Sequence, residues 1–332
     1  MTRTAVVGGG AWGTALAHTL ATRGHVVHLW AREADVVEHI NQSHANPRFL
    51  PGASLSPGLR ASADMGIVLG GAAVVVYAAP SHVLRDVVRD GAKAVAPDAT
   101  LVVATKGIER DTLALMTDVV ADELTGRDVV ALSGPSFAQE VVHGQPTAIV
   151  AASRRSDASA HVQQLMSSGM LRVYTSDDVT GVELGGALKN VMAVATGIAE
   201  GLGLGLNTRA ALITRGLAEM RRLGIAAGAR AETFAGLTGV GDLVLTCTGA
   251  LSRNRAVGID VGKGIPLEEV LAGKESVAEG VVTTQSALAL AVRHGVEMPI
   301  VSAVSRVLFG GWPPRDAIAE LMGRELRPER DA

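Results

Sequence analysis

The stretch Val6-Val7-Gly8-Gly9-Gly10-Ala11-Trp12-Gly13-Thr14-Ala15-Leu16-Ala17 decides the fold. An apolar run, Ala5 to Val7, reads as a buried parallel strand. Gly8, Gly10 and Gly13 follow with the G-x-G-x-x-G spacing. A helical pattern then runs through Ala15, Leu16 and Leu20 to about Arg23, where Gly24 stops it. Each glycine has a physical task. Gly8 permits the tight turn out of the strand, Gly10 lets a pyrophosphate approach the backbone, and Gly13 lets helix and strand pack closely. The unpaired N–H groups at the helix start then point at the phosphates. The spacing alone is a weak signal, because a glycine-rich turn needs no ligand. Here a strand precedes it, and a helix and a second strand, Val26 to Trp30, follow. That is the context a dinucleotide-binding turn requires.

The second strand ends in Trp30-Ala31-Arg32-Glu33. Folds of this kind place an acid about 20 residues past the glycines, on a ribose 2′-hydroxyl, or an arginine on a 2′-phosphate. Arg32 suits the phosphate and Glu33 the hydroxyl, so NADPH is favoured and NADH stays open; Arg32 also reads as a solvated charge opening a helix. Further apolar runs follow as strands: Ala72 to Ala79, Leu101 to Ala104, Val129 to Leu132, Thr147 to Ala151 and Leu171 to Tyr174. Continuous runs of this kind suit strands buried on both faces. Three of them end in polar motifs: Pro80-Ser81-His82, Thr105-Lys106-Gly107-Ile108 and Ser133-Gly134-Pro135-Ser136-Phe137. The pattern predicts an α/β domain with a mostly parallel, doubly wound sheet of the Rossmann type. Its ligand is expected beyond the carboxyl ends of the strands, on the rim where these motifs fall.

From about Asp178 the strand signal disappears. Val179 to Glu200 and Arg209 to Leu223 read as long helices, Ala231 to Leu237 as a short one, and segments from Ser252, Pro266 and Val281 onward as helical. The boundary between an α/β domain, 1–178, and an all-α domain, 179–332, falls at this change, and 332 residues suit two domains at about 150 residues each. The charged end, Gly323 to Ala332, reads as frayed.

Composition excludes several classes. A net charge of −3 with no Lys/Arg run leaves no basic face for nucleic acid, and 3% aromatic residues leave few stacking platforms. A single cysteine, Cys247, precludes an internal disulfide and reads as a small buried hydrophobe. Three glycines interrupt what a signal peptide would need as its apolar stretch. No run approaches the ~20 apolar residues of a membrane span. A cytoplasmic protein is expected, and a homodimer is among the assemblies the sequence allows.

In the second half, Glu183-Leu184-Gly185-Gly186-Ala187-Leu188-Lys189-Asn190 carries the most information. On a helix Gly185, Gly186, Lys189 and Ala193 share a face. Each glycine costs about 1 kcal/mol against alanine in a helix interior, so something is expected to approach closely there. Lys189 in such a groove can serve as a proton donor. A solvent-facing lysine on a helix packed by small residues fits the spacing equally well. Asp242, heading the run to Thr248, reads either as an N-cap or as a site residue. Ser252 reads as an N-cap, which leaves Arg253 and helix N–H groups for an anion. A capped helix with solvated arginines is the plain alternative. No His/Cys cluster has metal-ligand spacing.

Taken in order, these motifs, with Leu212 to Met220 and Val277-Ala278-Glu279-Gly280, resemble the bacterial NAD(P)-dependent glycerol-3-phosphate dehydrogenases over nearly the whole chain. The resemblance implies a cofactor-binding domain, a helical domain and a substrate cleft between them. It implies reversible reduction of dihydroxyacetone phosphate to sn-glycerol 3-phosphate, feeding glycerophospholipid synthesis. Lys189 then matches the proton donor or acceptor, and Lys106 a lysine touching both cofactor and substrate. As a second cation, Lys106 would help Lys189 cycle near neutrality. Gly134, Ser136, Asp242, Ser252, Arg253 and Asn254 match substrate contacts, with Asn190 and Thr246 in support. Gly8, Gly10, Ala11, Trp12, Gly13, Arg32, Ala138, Val277 and Glu279 match cofactor contacts, as does Arg253. Trp12 stands where relatives often carry a smaller residue, and Glu33 where they carry a neutral or basic one. Two rivals exist: another two-domain hydroxyacid dehydrogenase, which has no use for Ser252-Arg253-Asn254, and a non-catalytic NADPH-binding sensor, which has none for the lysines.

Overall fold

A computed structural model describes residues 1–273, 277–326 and 328–329. It divides into two compact units, one of residues 1–106 and 114–179, the other of residues 107–113 and 180–332. Residues 107–113, a loop that follows a strand of the first unit, group with the second, where Arg293 Nη1 donates to the Thr112 carbonyl at 3.1 Å.

The first unit is built on eight strands: β1 (Arg3–Val7), β2 (Val26–Trp30), β3 (Leu59–Ser62), β4 (Val74–Tyr77), β5 (Thr100–Val103), β6 (Val129–Ser133), β7 (Thr147–Ala152) and β8 (Leu171–Ser176). Their order is β3-β2-β1-β4-β5-β6-β7-β8, and every pair is parallel except β6 with β7. The chain winds outward from β1 in one direction to β3 and then restarts beside it at β4. The carboxyl ends of β1 and β4 therefore flank the switch point, where such sheets open a crevice. Successive strand residues face opposite layers. Val6, Val74, Val76 and Val102 pack into one core cluster, and Ala5, Val7, Val75 and Leu101 into the other. Each buried valine or leucine contributes about 1.5–3 kcal/mol, and burial on both faces explains the unbroken apolar runs.

β3 is absent from the expected strands because only Leu59 of its four residues is buried, so it carries no hydrophobic signature. The opposite edge, β8, is capped from its own chain. Leu171 N donates to Ser168 Oγ at 2.9 Å, Val173 N donates to Ser167 Oγ at 3.3 Å, and Gln163 Nε2 donates to the Val173 carbonyl at 2.8 Å. These bonds blunt an edge that would otherwise offer itself for pairing.

Every element of the second unit among the described residues is helical. The helices of most consequence are Val179–Gly201, Leu206–Ala226, Asp242–Thr248, Arg253–Gly262, Glu279–Arg293 and Pro299–Phe309. Val179–Gly201 is buried on all sides from Gly181 to Ala199, as a helix without a polar face must be. The last helix, Pro314–Met322, stops at Gly323. Of the charged end expected to fray, residues 327 and 330–332 lie outside the described residues.

Helix Leu206–Ala226 fastens Pro299–Phe309 through one buried carboxyl. Glu219 accepts from the N–H of Ile300 at 2.7 Å and of Val301 at 3.3 Å, which satisfies donors that a helix start leaves orphaned. Burial pushes the Glu219 carboxyl up to about 7, against the two N–H groups and the Arg222 and Arg324 charges. The unfolded chain releases this proton near the ordinary value of 4.5, so the native state holds more protons in between, and stability falls as pH rises from 4.5 through 7. The contribution is on the order of 3 kcal/mol. Urea unfolding of wild type and Glu219→Gln at pH 5 and 7.5 checks it. The wild type should lose that much more stability than the variant over the interval.

Candidate functional site

In the first unit the glycine turn is fixed by backbone contacts. Gly8 has φ +129°, open only to glycine at low cost, and a Cβ there would come within 2.7 Å of the Ala78 carbonyl carbon. A Cβ at Gly13 would overlap the Gly8 carbonyl, so the helix Ala11–Thr22 can start against β1 only because neither residue has one. Gly10 is different. A Cβ there would meet nothing within 4 Å, so the protein's own packing does not explain the missing side chain. The helix start beside Gly10 has no side-chain cap, and the Trp12 Nε1 donor is buried with no protein partner. An open cradle, uncapped N–H groups and an orphaned donor together fit the pyrophosphate of a dinucleotide.

Asn46 completes this turn and was not expected from the sequence. Its Nδ2 donates to the Gly9 carbonyl and to Thr14 Oγ1, both at 2.9 Å, and its Oδ1 accepts from Phe49 N–H at 3.2 Å. A buried asparagine so far along the chain offers only its Asn-Pro turn signature in the sequence.

The other strand-end motifs share this rim. Thr105 Oγ1 donates to the Ala79 carbonyl at 2.7 Å, Lys106 Nζ to the Gly134 carbonyl at 3.1 Å, and Ser136 Oγ to the same oxygen at 3.0 Å. Gly134 has φ +136°, and a Cβ would press within 2.9 Å of Ile149 Cα. Ala138 opens the helix Ala138–Val142. Arg32 stands apart at the end of β2. Its side chain is 82% exposed, and its Nε and Nη2 both donate to Glu33 Oε1, at 3.3 and 3.1 Å. An exposed pair of this kind contributes little and is easily exchanged for another anion.

In the second unit Lys189 is buried on the helix Val179–Gly201. Its Nζ donates to Asp242 Oδ1 at 2.7 Å and to Thr246 Oγ1 at 2.8 Å. The side chains of Lys189 and Asp242 are 9% and 1% exposed. Thr246 Oγ1 donates in turn to the Asp242 carbonyl at 2.6 Å, which fixes its lone pairs toward the ammonium. Lys189 is therefore not the solvent-facing alternative, and Asp242 is not an N-cap, since Gly241 holds that position. The groove expected at Gly185 is occupied by the protein itself. A Cβ there would overlap the Thr238 carbonyl, so this glycine admits the segment that leads into Asp242, not a substrate. Beside the cluster, burial pushes the Cys247 thiol up to about 12, which keeps it an inert, small core residue.

Asn190, the next residue of the lysine helix, meets Asn254. Asn254 Nδ2 donates to Asn190 Oδ1 at 2.9 Å, and Asn254 Oδ1 accepts from Gly280 N–H at 2.8 Å. Asn254 thus ties the helix Glu279–Arg293 to the lysine helix. Ser252 caps the helix Arg253–Gly262, its Oγ accepting from Arg255 N–H at 3.2 Å, and the hydroxyl can still donate its own hydrogen. Arg253 opens that helix, keeping exposed surface while neighbouring atoms partly desolvate its guanidinium. That desolvation lowers its pKa, and Glu279 opposes the shift, so the side chain stays charged. Glu279 opens its own helix, and Val277 lies two residues before it, partly buried. Among the described residues no group of three or more His, Cys, Asp or Glu side chains could hold a metal, and no helix is long and apolar enough to cross a membrane.

An open, mostly parallel sheet with a glycine turn at its switch point defines a dinucleotide-binding protein, here followed by a helical unit that buries a lysine on a carboxylate. Comparison with known proteins gives the particular family. Residues 3–159 match the family model of the NAD-dependent glycerol-3-phosphate dehydrogenase N-terminus, and residues 178–319 that of its C-terminus. The chain belongs to this family. It is 53% identical over 331 residues to the glycerol-3-phosphate dehydrogenase [NAD(P)+] of Geobacter sulfurreducens, covering 99% of each. It is 52% identical over 329 residues to that of Syntrophotalea carbinolica, covering 98% of this chain and 99% of the relative. The crystal structure of glycerol-3-phosphate dehydrogenase from Coxiella burnetii matches with a TM-score of 0.94 at 40% identity, covering 97% of this chain and 99% of that one. A ketopantoate reductase from Ralstonia eutropha, at 17% identity and a TM-score of 0.64, shares the fold alone.

The ion pair yields a stability test. Asp242→Ala leaves the Lys189 ammonium buried without its carboxylate and should cost about 3–5 kcal/mol in denaturant unfolding. Adding Lys189→Met removes the buried charge that lost its carboxylate, so the double variant should be more stable than Asp242→Ala alone.

Proposed function

We propose that this protein catalyses the reversible NAD(P)H-dependent reduction of dihydroxyacetone phosphate to sn-glycerol 3-phosphate. The observation that carries this reading is family membership over residues 3–159 and 178–319, which spans both units of the chain. When bound, the nicotinamide supplies a hydride to substrate C2 and takes it back in reverse. The residues suited to hold the cofactor are Gly8, Gly10, Ala11, Trp12, Gly13, Arg32, Lys106, Ala138, Arg253, Val277 and Glu279. Lys189 gives its proton to the C2 oxygen as negative charge develops there, while Asp242 and Thr246 fix where its ammonium points. Arg253 takes the substrate phosphate as a two-pronged donor, and Ser252 and the helix N–H groups add donors. Lys106, Gly134 and Ser136 offer polar contacts to the substrate from the strand-end rim. Asn190 and Asn254 act by holding the turn and the helix starts in place. Arg32 takes the 2′-phosphate of NADPH by leaving Glu33. Work in the cytoplasm, feeding glycerophospholipid synthesis, belongs to the same reading, and a single buried cysteine suits a reducing compartment.

The direct assay follows NADPH and NADH oxidation with dihydroxyacetone phosphate and with unphosphorylated dihydroxyacetone. Rapid turnover of the phosphate ester alone is expected; equal turnover of both ketones overturns the reading. In that assay Lys189→Met keeps the stem and removes proton and charge, so kcat should fall at least ~10²-fold with cofactor affinity unchanged. Near-normal kcat removes Lys189 from the proton step and leaves Lys106 as the leading lysine. Arg32→Ala should raise KM for NADPH by roughly 10- to 100-fold, the worth of a charge-assisted contact, and leave KM for NADH nearly as it was. Equal effects on both cofactors would show that Arg32 reads no 2′-phosphate.

A further inference from the structure

The lysine helix, Val179–Gly201, and the helix Arg253–Gly262 cross backbone on backbone. A Cβ at Gly197 would overlap the Arg255 carbonyl and lie 2.9 Å from Gly258 Cα. A Cβ at Gly201 would overlap the Ile259 carbonyl and lie 2.9 Å from Gly262 Cα. Gly258 and Gly262 return the relation against the carbonyls of Val194 and Ile198. A pair of glycines four residues apart on each helix lets the two backbones lie in direct contact. The crossing does not by itself set the turn Gly249–Ser252, which precedes the second helix and leads into Arg253.

Arg255 connects that turn to the lysine helix. Its Nη1 donates back to the Gly249 carbonyl at 3.3 Å. Its Nε and Nη2 donate to the two carboxylate oxygens of Glu200, at 2.9 and 2.7 Å. Glu200 Oε2 also accepts from Arg209 Nη2 at 2.6 Å. The side chains of Glu200 and Arg255 are 30% and 15% exposed, so the fork is largely sheltered. A two-point pair of this geometry fixes direction as well as distance. Glu200 occupies the last turn of its helix, the negative end of the helix dipole, where a carboxylate is disfavoured. Helix stability therefore does not account for an acid at this position, whereas two arginines sharing one carboxylate do.

We propose that Glu200 is a positioning residue for the substrate phosphate. It holds Arg255 in the fork, Arg255 holds the Gly249–Ser252 turn, and the turn presents the Arg253 guanidinium and the Ser252 hydroxyl. Glu200 touches neither substrate nor cofactor. The inference rests on the reading of Arg253 as the phosphate ligand.

The test is steady-state kinetics of wild type, Glu200→Gln, Arg253→Ala and the double variant, with dihydroxyacetone phosphate, unphosphorylated dihydroxyacetone and NADPH. In Glu200→Gln two arginines face a neutral amide and repel each other, which releases Arg255 from its place. KM for dihydroxyacetone phosphate should rise about tenfold, inside the ~10²-fold that misplacing a bound group by an ångström can cost. The kcat, the KM for NADPH and the low activity on dihydroxyacetone should stay near wild type. In the Arg253→Ala background Glu200→Gln should add much less than its tenfold effect in the wild type, only what is lost through the Ser252 hydroxyl. A KM unchanged by Glu200→Gln, an equal loss on both ketones, or effects that multiply in the double variant each overturn the inference. If Arg253→Ala itself leaves KM unchanged, the phosphate reading falls, and the Glu200 inference with it; if Arg253→Ala raises KM and Glu200→Gln does not, only the Glu200 inference falls. Should Glu200→Gln not fold, Arg255→Lys keeps the charge and loses the fork. The same selective rise in KM is then expected, and its absence is decisive against the proposal.

Discussion

Backbone packed directly on backbone is the constraint on which both units depend. In the first unit, Gly13 lets the first helix begin against the Gly8 carbonyl, and Gly8 lets the turn lie against the end of β4. In the second, Gly185 admits the Thr238 carbonyl, Gly280 admits the Asn190 carbonyl, and Gly197, Gly201, Gly258 and Gly262 seat one helix on another. A methyl group at any of these positions would demand a shift of main chain, which packed interiors do not absorb cheaply. The same closeness brings polar side chains within reach of one another. Asp242 follows directly from the segment that Gly185 admits, and Asn254 meets Asn190 and Gly280 where three helix segments converge.

The polar groups follow from that packing. A lysine inside a helical unit needs a partner, because a buried charge without one is costly. Asp242 and Thr246 supply it from one short helix, spaced four residues apart so that both reach the same ammonium. The result is a cation held at a defined point by a carboxylate and a hydroxyl and largely sheltered from solvent. In the first unit the corresponding economy is in carbonyls. Thr105, Lys106 and Ser136 spend their donors on the Ala79 and Gly134 oxygens, which keeps the rim ordered.

The sequence by itself determined the alternation of strands and helices, the change to helices near Asp178, the glycine turn, and the family to which its ordered motifs belong. These are local signals. A period of two or 3.6, a run of valines buried on both faces, or glycines at fixed spacing needs no distant partner to be read. Only the tertiary structure decided what depends on residues far apart in the chain. β3 carries too little apolar surface to announce itself, and becomes a strand because β2 offers it an edge. Spacing left Lys189 divided between a solvated residue and a buried one, and pairing with Asp242, 53 positions away, settles it as buried. Gly185 looked like room for a ligand and proves to be room for main chain. Asn46 holds the glycine turn from 37 residues away. Each of these outcomes turns on which groups burial forces together, and a periodicity cannot carry that information.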